Sequence, residues 1–310
     1  MKYSVKETKV LSFFDPNIIR LFDDKSLTDI FWNADGKIFI IKSGQEEFFG
    51  NHQGSLRSLI NEIAYLNETV VNEFNPVLET SFLGMRITAV IPPMGAAPTL
   101  TIRKPNYQII KLAEYLDNGS LSAEHHDYLI YKFVYSPVNI IIAGSTGSGK
   151  TTFANALIDE LVTRDKNNQR IVSIQDTPEL VINVPNVIEL FSTTKISMQD
   201  CLKVTLRQSP KRIFVGEVRD KSVIAMLDAW NTGHHGGVAT IHANSAKDAI
   251  QRIVSLGSKD YDLNELYNLI GSTVGVIVSI QNKDGVRSID QIIEINGYDS
   301  KNNSLITKEI

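Results

Sequence analysis

The chain has 310 residues with 31 Lys and Arg against 35 Asp and Glu, a formal net charge of −4, so no global basic field points to nucleic-acid binding. Its 43% apolar and 21% charged content is that of an ordinary globular protein, and the length suggests two domains. Cys201 is the only cysteine, which excludes an intrachain disulfide framework and fits a reducing compartment. The first residues, MKYSVKETKVLSFF, lack an apolar core of signal-peptide length, and no run approaches the roughly 18 apolar residues of a membrane span. A cytoplasmic location is the expectation.

In chain order, Asn17–Phe22 is helical in pattern, and the strand-like runs Asp29–Asn33 and Lys37–Lys42 are joined by Ala-Asp-Gly, a hairpin signal. Residues Ser55–Asn67 are amphipathic, with Leu56, Leu59, Ile60, Ile63 and Leu66 on one side and Ser55 as N-cap. Strands follow at Met85–Ile91 and Thr99–Arg103, split by a Gly-Ala-Ala-Pro connector. A small α/β (α+β) N-terminal domain, residues 1–105, is expected to end near Pro105. Residues 106–136 hold two helical stretches, Ile109–Leu116 and Ala123–Tyr135, parted by Asp-Asn-Gly-Ser, and read as a connector. The aromatics Tyr128, Tyr131, Phe133 and Tyr135 are expected to pack against the second domain rather than stack on bases.

Val138–Ala143 is an uncharged, mostly β-branched strand, suited to burial on both faces. It runs into Gly144-Ser145-Thr146-Gly147-Ser148-Gly149-Lys150-Thr151-Thr152, the G-x-x-x-x-G-K-[ST] spacing of a P-loop, and then a helix beginning FANALIDELV. Glycines let backbone N–H groups close around a phosphate, and the following helix points its positive end at the anion. Lys150 supplies a charge for the outer phosphates, and Thr151 a hydroxyl for Mg²⁺. Binding of a nucleoside triphosphate with Mg²⁺ follows.

Strands and helices then alternate: strand Arg170–Gln175, strand Val187–Phe191, helix Ser197–Arg207 capped by Ser197, strand Arg212–Val215, helix Ser222–Trp230 and strand Gly237–His242. Helices Ala246–Leu256 and Asp262–Ile270 precede closing strands Val274–Ile280 and Ser288–Ile295, with a turn at Asn282–Gly285. This alternation implies a mostly parallel sheet with helices on both faces, over residues 137–310, and a ligand site at the carboxyl ends of the strands. Those ends carry Asp176 and Glu179, Glu217, and His242. Glu217 is the expected Mg²⁺-water ligand and general base, and His242 a γ-phosphate sensor. His234 and His235 have no third ligand at suitable spacing, so zinc is not expected.

The ordered segments GSTGSGKTT, IQDTPEL, LRQSPKRIFVGEVRD and AWNTGHHGGVATIHAN resemble the secretion ATPase superfamily, the hexameric motors of type IV secretion, type II secretion and type IV pili. SLTDIFWNADGKIFI and IPPMGAAPTLTIRKP extend the resemblance, toward the TrbB-like conjugal-transfer branch, over nearly the whole chain. The resemblance implies ATP as the nucleotide, in a RecA-like ATPase domain with the P-loop at Gly144–Thr151, an Asp box at Ile174–Glu179, a Walker B strand at Ile213–Glu217 and a His box at Gly233–Asn244. It implies that Arg86 and Arg103 approach the phosphates. It further implies a homohexamer at the cytoplasmic face of the inner membrane. The partners would be inner-membrane and other ATPase components of a secretion or conjugation apparatus, with peripheral membrane association and no sequence-specific nucleic-acid binding. A slow-turnover assembly scaffold, a pilus or type II secretion motor, and a ring helicase are the competing readings.

Two departures stand out. The family's Asp box reads Glu-Asp-Thr, whereas this chain has Gln175-Asp176-Thr177; an amide orients water but takes no proton, which leaves Glu217 as base. On that reading Gln175→Glu speeds turnover about tenfold, or about 1.4 kcal/mol. The family segment Leu-Arg-Met-Arg-Pro is here Leu206-Arg207-Gln208-Ser209-Pro210, with one arginine missing.

Overall fold

A computed structural model describes residues 3–104, 109–165, 169–193, 195–258, 261–283 and 286–310. Two compact units result, Met1–Asn106 and Tyr107–Ile310. Pro105 and the last two residues of the expected turn at 282–285 lie outside the described residues.

The first unit contains α1 (Val5–Leu11), α2 (Pro16–Leu21), β1 (Leu27–Trp32), β2 (Lys37–Lys42), β3 (Gln45–Asn51), α3 (Leu56–Leu66), β4 (Val77–Phe82), β5 (Met85–Val90) and β6 (Thr99–Arg103). Its sheet runs β3-β2-β1-β6-β5-β4, antiparallel throughout. The expected hairpin forms between β1 and β2, and the Ser55 hydroxyl accepts the Ser58 N–H at the start of α3. Leu59, Ile60 and Ile63 of α3 pack against Ile30, Ile87 and Ile102 of the sheet, as its apolar stripe requires. Three elements carry little periodic signal. Strand β3 is an edge strand with a largely exposed, glutamate-bearing face, β4 mixes Glu79 and Thr80 with its apolar residues, and α1 is short.

The second unit begins with α4 (Leu112–Asp117) and α5 (Ala123–Ile130), the latter running into a π-helical turn at Tyr131–Tyr135. Then come β7 (Asn139–Gly144), α6 (Lys150–Arg164), β8 (Ile171–Gln175), β9 (Val187–Phe191), α7 (Met198–Thr205), β10 (Arg212–Val218), α8 (Ser222–Asn231) and β11 (Val238–His242). The unit closes with α9 (Ala246–Gly257), α10 (Leu263–Thr273), β12 (Val274–Lys283), β13 (Val286–Asp299) and β14 (Ser304–Glu309). The sheet order is β14-β13-β12-β7-β11-β10-β8-β9, parallel from β12 to β9, with β13 and β14 antiparallel at one edge.

Central strand β7 shows why its run is apolar at every position. Ile140 and Ile142 face a core shared with α4, α5 and α6, while Ile141 and Ala143 face one shared with α7, α8, α9 and α10. A strand covered by helices on both sides has no polar face to offer. Residues 106–136, expected as a connector, contribute Leu112, Leu129 and Phe133 to the first of these cores. Of the four aromatics expected to pack, Phe133 is buried and Tyr128 half-buried, but Tyr131 and Tyr135 are exposed. The π-helical turn carries both outward; that part of the expectation is corrected.

Candidate functional site

The carboxyl ends of β7, β11, β10 and β8, four neighbours in the sheet, bring their terminal residues together. The Gly144–Thr151 loop leaves β7 and opens into α6, as the strand–loop–helix pattern requires. Gly147 and Gly149 have φ of +74° and +96°, a region that L side chains rarely adopt. Gly144 is constrained differently. A Cβ there would come within 2.3 Å of the Ser148 hydroxyl and 2.8 Å of the Ile280 carbonyl. Arg287 of β13 also lies against the loop, with its Cδ 3.3 Å from where a Cβ on Gly149 would stand.

Buried Lys150 folds back over this loop. Its ammonium donates to the Gly144 and Ser145 carbonyls, each at 3.0 Å, and lies 3.2 Å from His242 Nδ1. Burial is the main reason that its pKa falls below the usual lysine value, opposed by Glu217 and Glu179. His242 ends β11, and its Nε2 is 2.8 Å from Glu217 Oε1. Burial, reinforced by Lys150, also lowers the imidazole's pKa, so the ring is neutral at neutral pH. The network fixes its tautomer: Nε2–H donates to Glu217, and Nδ1 accepts from Lys150.

Glu217 owes its direction to a bulge. The register of β10 against β11 shifts between Val215 and Val218, and the Thr240 hydroxyl donates to the Gly216 carbonyl at 2.6 Å. Glu217 thus lies within β10 rather than after it, as the shorter expected strand would have it. Gly216 leaves room for Gln175, whose Cγ would be 3.3 Å from a Cβ at that position. Arg219 holds Glu217 by two bonds, Nε to Oε1 at 2.9 Å and Nη2 to Oε2 at 3.1 Å, and reaches Asp176 through Nη1 at 2.9 Å. Burial pushes the Glu217 carboxyl up, but Arg219, helped by His242 and Lys150, outweighs it and holds the pKa below the usual value. The bonds to Glu217 raise the Arg219 pKa in turn.

The segment after β8 is anchored from two sides. Gln175 is fully buried, and its side-chain carbonyl accepts the N–H groups of Glu179 and Leu180 at 2.9 and 2.7 Å. Asn155, buried on α6, donates to the Glu179 carbonyl and accepts the Val181 N–H, both at 2.9 Å. Glu179 is thereby set where its carboxylate accepts the Thr151 hydroxyl at 3.1 Å. The structure therefore brings Glu179, not Glu217, to Thr151.

The residues fit a nucleotide with Mg²⁺. Nothing lies within 4 Å of where a Cβ on Gly147 would stand, the buried Ser148 hydroxyl has no hydrogen-bond partner, and Thr151 and Glu179 are hard oxygen donors side by side. Among the described residues no group of three or more His, Cys, Asp or Glu could hold a metal alone, so Mg²⁺ would depend on phosphate and water oxygens. His234 is engaged locally by the Ala229 carbonyl and the Thr232 hydroxyl. Arg86 and Arg103 belong to the first unit, opposite each other on β5 and β6, where Arg103 pairs with buried Asp29 at 2.7 Å.

Sequence reasoning gave no role to Arg219, Asn155 or Arg287. Arg219 stands two residues after Glu217, and Asn155 is a polar residue on an apolar helix face, so both leave a trace in the sequence. Arg287 is far from the loop in sequence and leaves none.

Residues 15–283 match the family described as "Type II/IV secretion system protein". The chain is 36% identical over 280 residues to the probable conjugal transfer protein TrbB of Sinorhizobium fredii, covering 89% of this chain and 85% of that one. It is 34% identical to the conjugal transfer protein TrbB of Rhizobium radiobacter, covering 89% and 86%. Among solved structures, the ATPase DotB of Legionella pneumophila aligns over 94% of this chain and 83% of its own with a TM-score of 0.64. At 20% identity that is a likeness of fold.

Proposed function

The chain belongs to the type II/IV secretion system protein family, and from that premise we propose that it is an ATP-hydrolysing motor of a conjugative DNA-transfer or type IV secretion machine. The observation that carries this reading is the unbroken chain Lys150–His242–Glu217–Arg219–Asp176 at the mouth of the glycine loop. It joins the group that would meet the outer phosphates to a carboxylate suited to the attacking water. The identity to conjugal transfer proteins supports the DNA-transfer branch over the pilus branch.

In this reading Gly144–Thr152 cradle the phosphates, and Lys150 leaves the loop carbonyls to meet them. Thr151 and Glu179 would hold Mg²⁺, with Glu217 acting through water, and the ion would supply positive charge to the phosphates. Glu217 accepts the proton of the attacking water, His242 relays the state of the phosphate to Glu217, and Asp176 anchors Arg219. Gln175 shapes the turn that presents Glu179. Arg86 and Arg103 are candidate charges for the transition state. Residues 1–105 form the N-terminal domain, 106–136 link it onward, and 137–310 are the motor.

The protein works as a homohexamer at the cytoplasmic face of the inner membrane, with other components of the machine as partners. No helix among the described residues is long and apolar enough to cross a membrane. The test is phosphate release by the purified chain and by Lys150→Ala, with light scattering in the presence and absence of a non-hydrolysable ATP analogue. Magnesium-dependent turnover lost in the variant, and a hexamer that tightens with nucleotide, are expected. Unchanged turnover in Lys150→Ala overturns the site, and a monomer in every condition overturns the ring.

A further inference from the structure

The sheet of the second unit has a second charged edge, opposite the one that carries the glycine loop. A cavity of about 530 Å³ lies there, lined by residues that stand just ahead of β8, β9, β10 and β11. Along β8, the five residues Ile171–Gln175 separate it from the carboxyl end, roughly 17 Å at the usual rise per residue. The chemistry of the glycine loop does not use it.

The charge of this cavity is one-sided. Arg170, Lys211, Arg212 and His235 line it, and among the described residues no Asp or Glu does. Arg212 lies beneath, 1% exposed, and donates to neutral acceptors: the Gln169 side-chain oxygen at 2.9 Å and the Phe133 and Gly236 carbonyls at 2.8 and 3.1 Å. Burial pulls its pKa down to about 10, opposed by Asp165, which accepts the Gln169 amide and stands outside the lining. A buried cation with no ion pair of its own adds its field to the cavity above it. The groups that an occupant can meet are the other three. Lys211 and His235 are exposed, and neither side chain has a hydrogen-bond or ion-pair partner among the described residues. Half-buried Arg170 donates through Nε to the Gln208 carbonyl at 2.6 Å and through Nη1 to Asn186 Oδ1 at 2.9 Å, which leaves its Nη2 without a bond.

Cations gathered without a carboxylate repel one another, and an anion relieves that repulsion. A single carboxylate would leave most of the charge unanswered. A phosphate monoester brings close to two negative charges and three acceptor oxygens, enough for Lys211, His235 and Arg170 Nη2 together. The volume exceeds that of a bare phosphate and falls within the range of small-molecule sites, so the body that carries the phosphate has room as well. Pro137 and the aliphatic stems of Arg170 and Lys211 give that body apolar surface. We propose that this cavity binds the phosphate group of a small organic phosphate monoester, held by Lys211, Arg170 and His235 above the buried charge of Arg212. The site is independent of the nucleotide site and of the function proposed above.

The test uses the full-length chain with a non-hydrolysable ATP analogue and Mg²⁺ present, which keeps a phosphate probe from the glycine loop. The probe is phenyl phosphate, followed by calorimetry, and the His235 imidazole C–H signal in NMR spectra reports where it binds. Its comparators are benzoate, the same ring with one charge; inorganic phosphate, which lacks the body; and the dipeptide Asp-Asp, an acidic peptide. Saturable binding that shifts His235 is expected, about tenfold or more tighter than benzoate. Lys211→Ala, at an exposed position that the fold does not need, weakens it about fivefold, and the charge reversal Lys211→Glu weakens it further. Binding without saturation, an unmoved His235 signal, or undiminished affinity in Lys211→Glu each overturns the proposal. So does benzoate, inorganic phosphate or the dipeptide binding as tightly as phenyl phosphate; the last would make this an acidic-peptide site.

Discussion

His242 Nε2 and Glu217 Oε1 stand 2.8 Å apart, which makes the strand-end histidine a hydrogen-bond donor to the candidate base. Because Lys150 lies 3.2 Å from the other imidazole nitrogen, a phosphate that draws Lys150 away also frees Nδ1. The charge state around Glu217 is thus tied to the occupancy of the loop, and the predictions below follow from that coupling.

Glu217→Gln removes the proton acceptor but preserves shape and most hydrogen bonds. Turnover should fall about 10²-fold or more with ATP still bound, as loss of a general base does. Phosphate release beside binding of a fluorescent ATP analogue measures both. An active Glu217→Gln enzyme, with Asp176→Asn or Glu179→Gln dead, would move the base to the other carboxylates.

Arg219 sets the pH at which Glu217 works. The Glu217 pKa is held below its usual value, so the carboxylate persists as pH falls and activity is lost only on passing through that lowered pKa. Removing Arg219 leaves burial less opposed, which raises the pKa. The acid limb of kcat/KM in Arg219→Ala should therefore move to higher pH. Arg219→Lys should restore it only partly, since an ammonium cannot hold the carboxylate with two parallel bonds. An unmoved limb would mean that Glu217 does not govern it.

For Gln175 the geometry argues against the faster Gln175→Glu enzyme expected from sequence. Its side-chain oxygen is occupied by the Glu179 and Leu180 N–H groups, a task that a carboxylate oxygen does equally well. Gln175→Glu should keep kcat within about twofold, below the 1.4 kcal/mol that a tenfold gain represents. Gln175→Ala strands one buried and one half-buried donor and should cost about 2 kcal/mol of stability while slowing turnover. A tenfold gain in steady-state kcat for Gln175→Glu would restore the water-activating role and, with it, the slow-scaffold reading.

Asn155→Ala removes both bonds that Asn155 makes to the Glu179 segment. A loss of about 2 kcal/mol is expected, measured by denaturant unfolding followed through buried Trp230, which lies in the same unit. The Mg²⁺ dependence of turnover should weaken as well, because Glu179 is no longer held at Thr151. Unaltered magnesium dependence would separate Glu179 from the metal.

The sequence alone determined the parts whose cause is local. An uncharged strand run, a glycine loop and an apolar helix stripe declare β7, the phosphate cradle and α6, because period and glycine geometry act over neighbouring residues. The same holds for the Ser55 and Ser197 caps, each bonded three residues onward. Short-range rules could not decide what Glu217, Gln175 and Glu179 touch. Glu217 reaches His242 through a bulge secured by Thr240 on the neighbouring strand, and Gln175 closes a turn because Gly216 leaves space beside it. Edge strands β3 and β14 escaped notice for a related reason: pairing with a neighbour makes them strands, while their exposed faces carry no apolar alternation to read. Residue types named the chemistry, and contacts across the sheet assigned each group its partner.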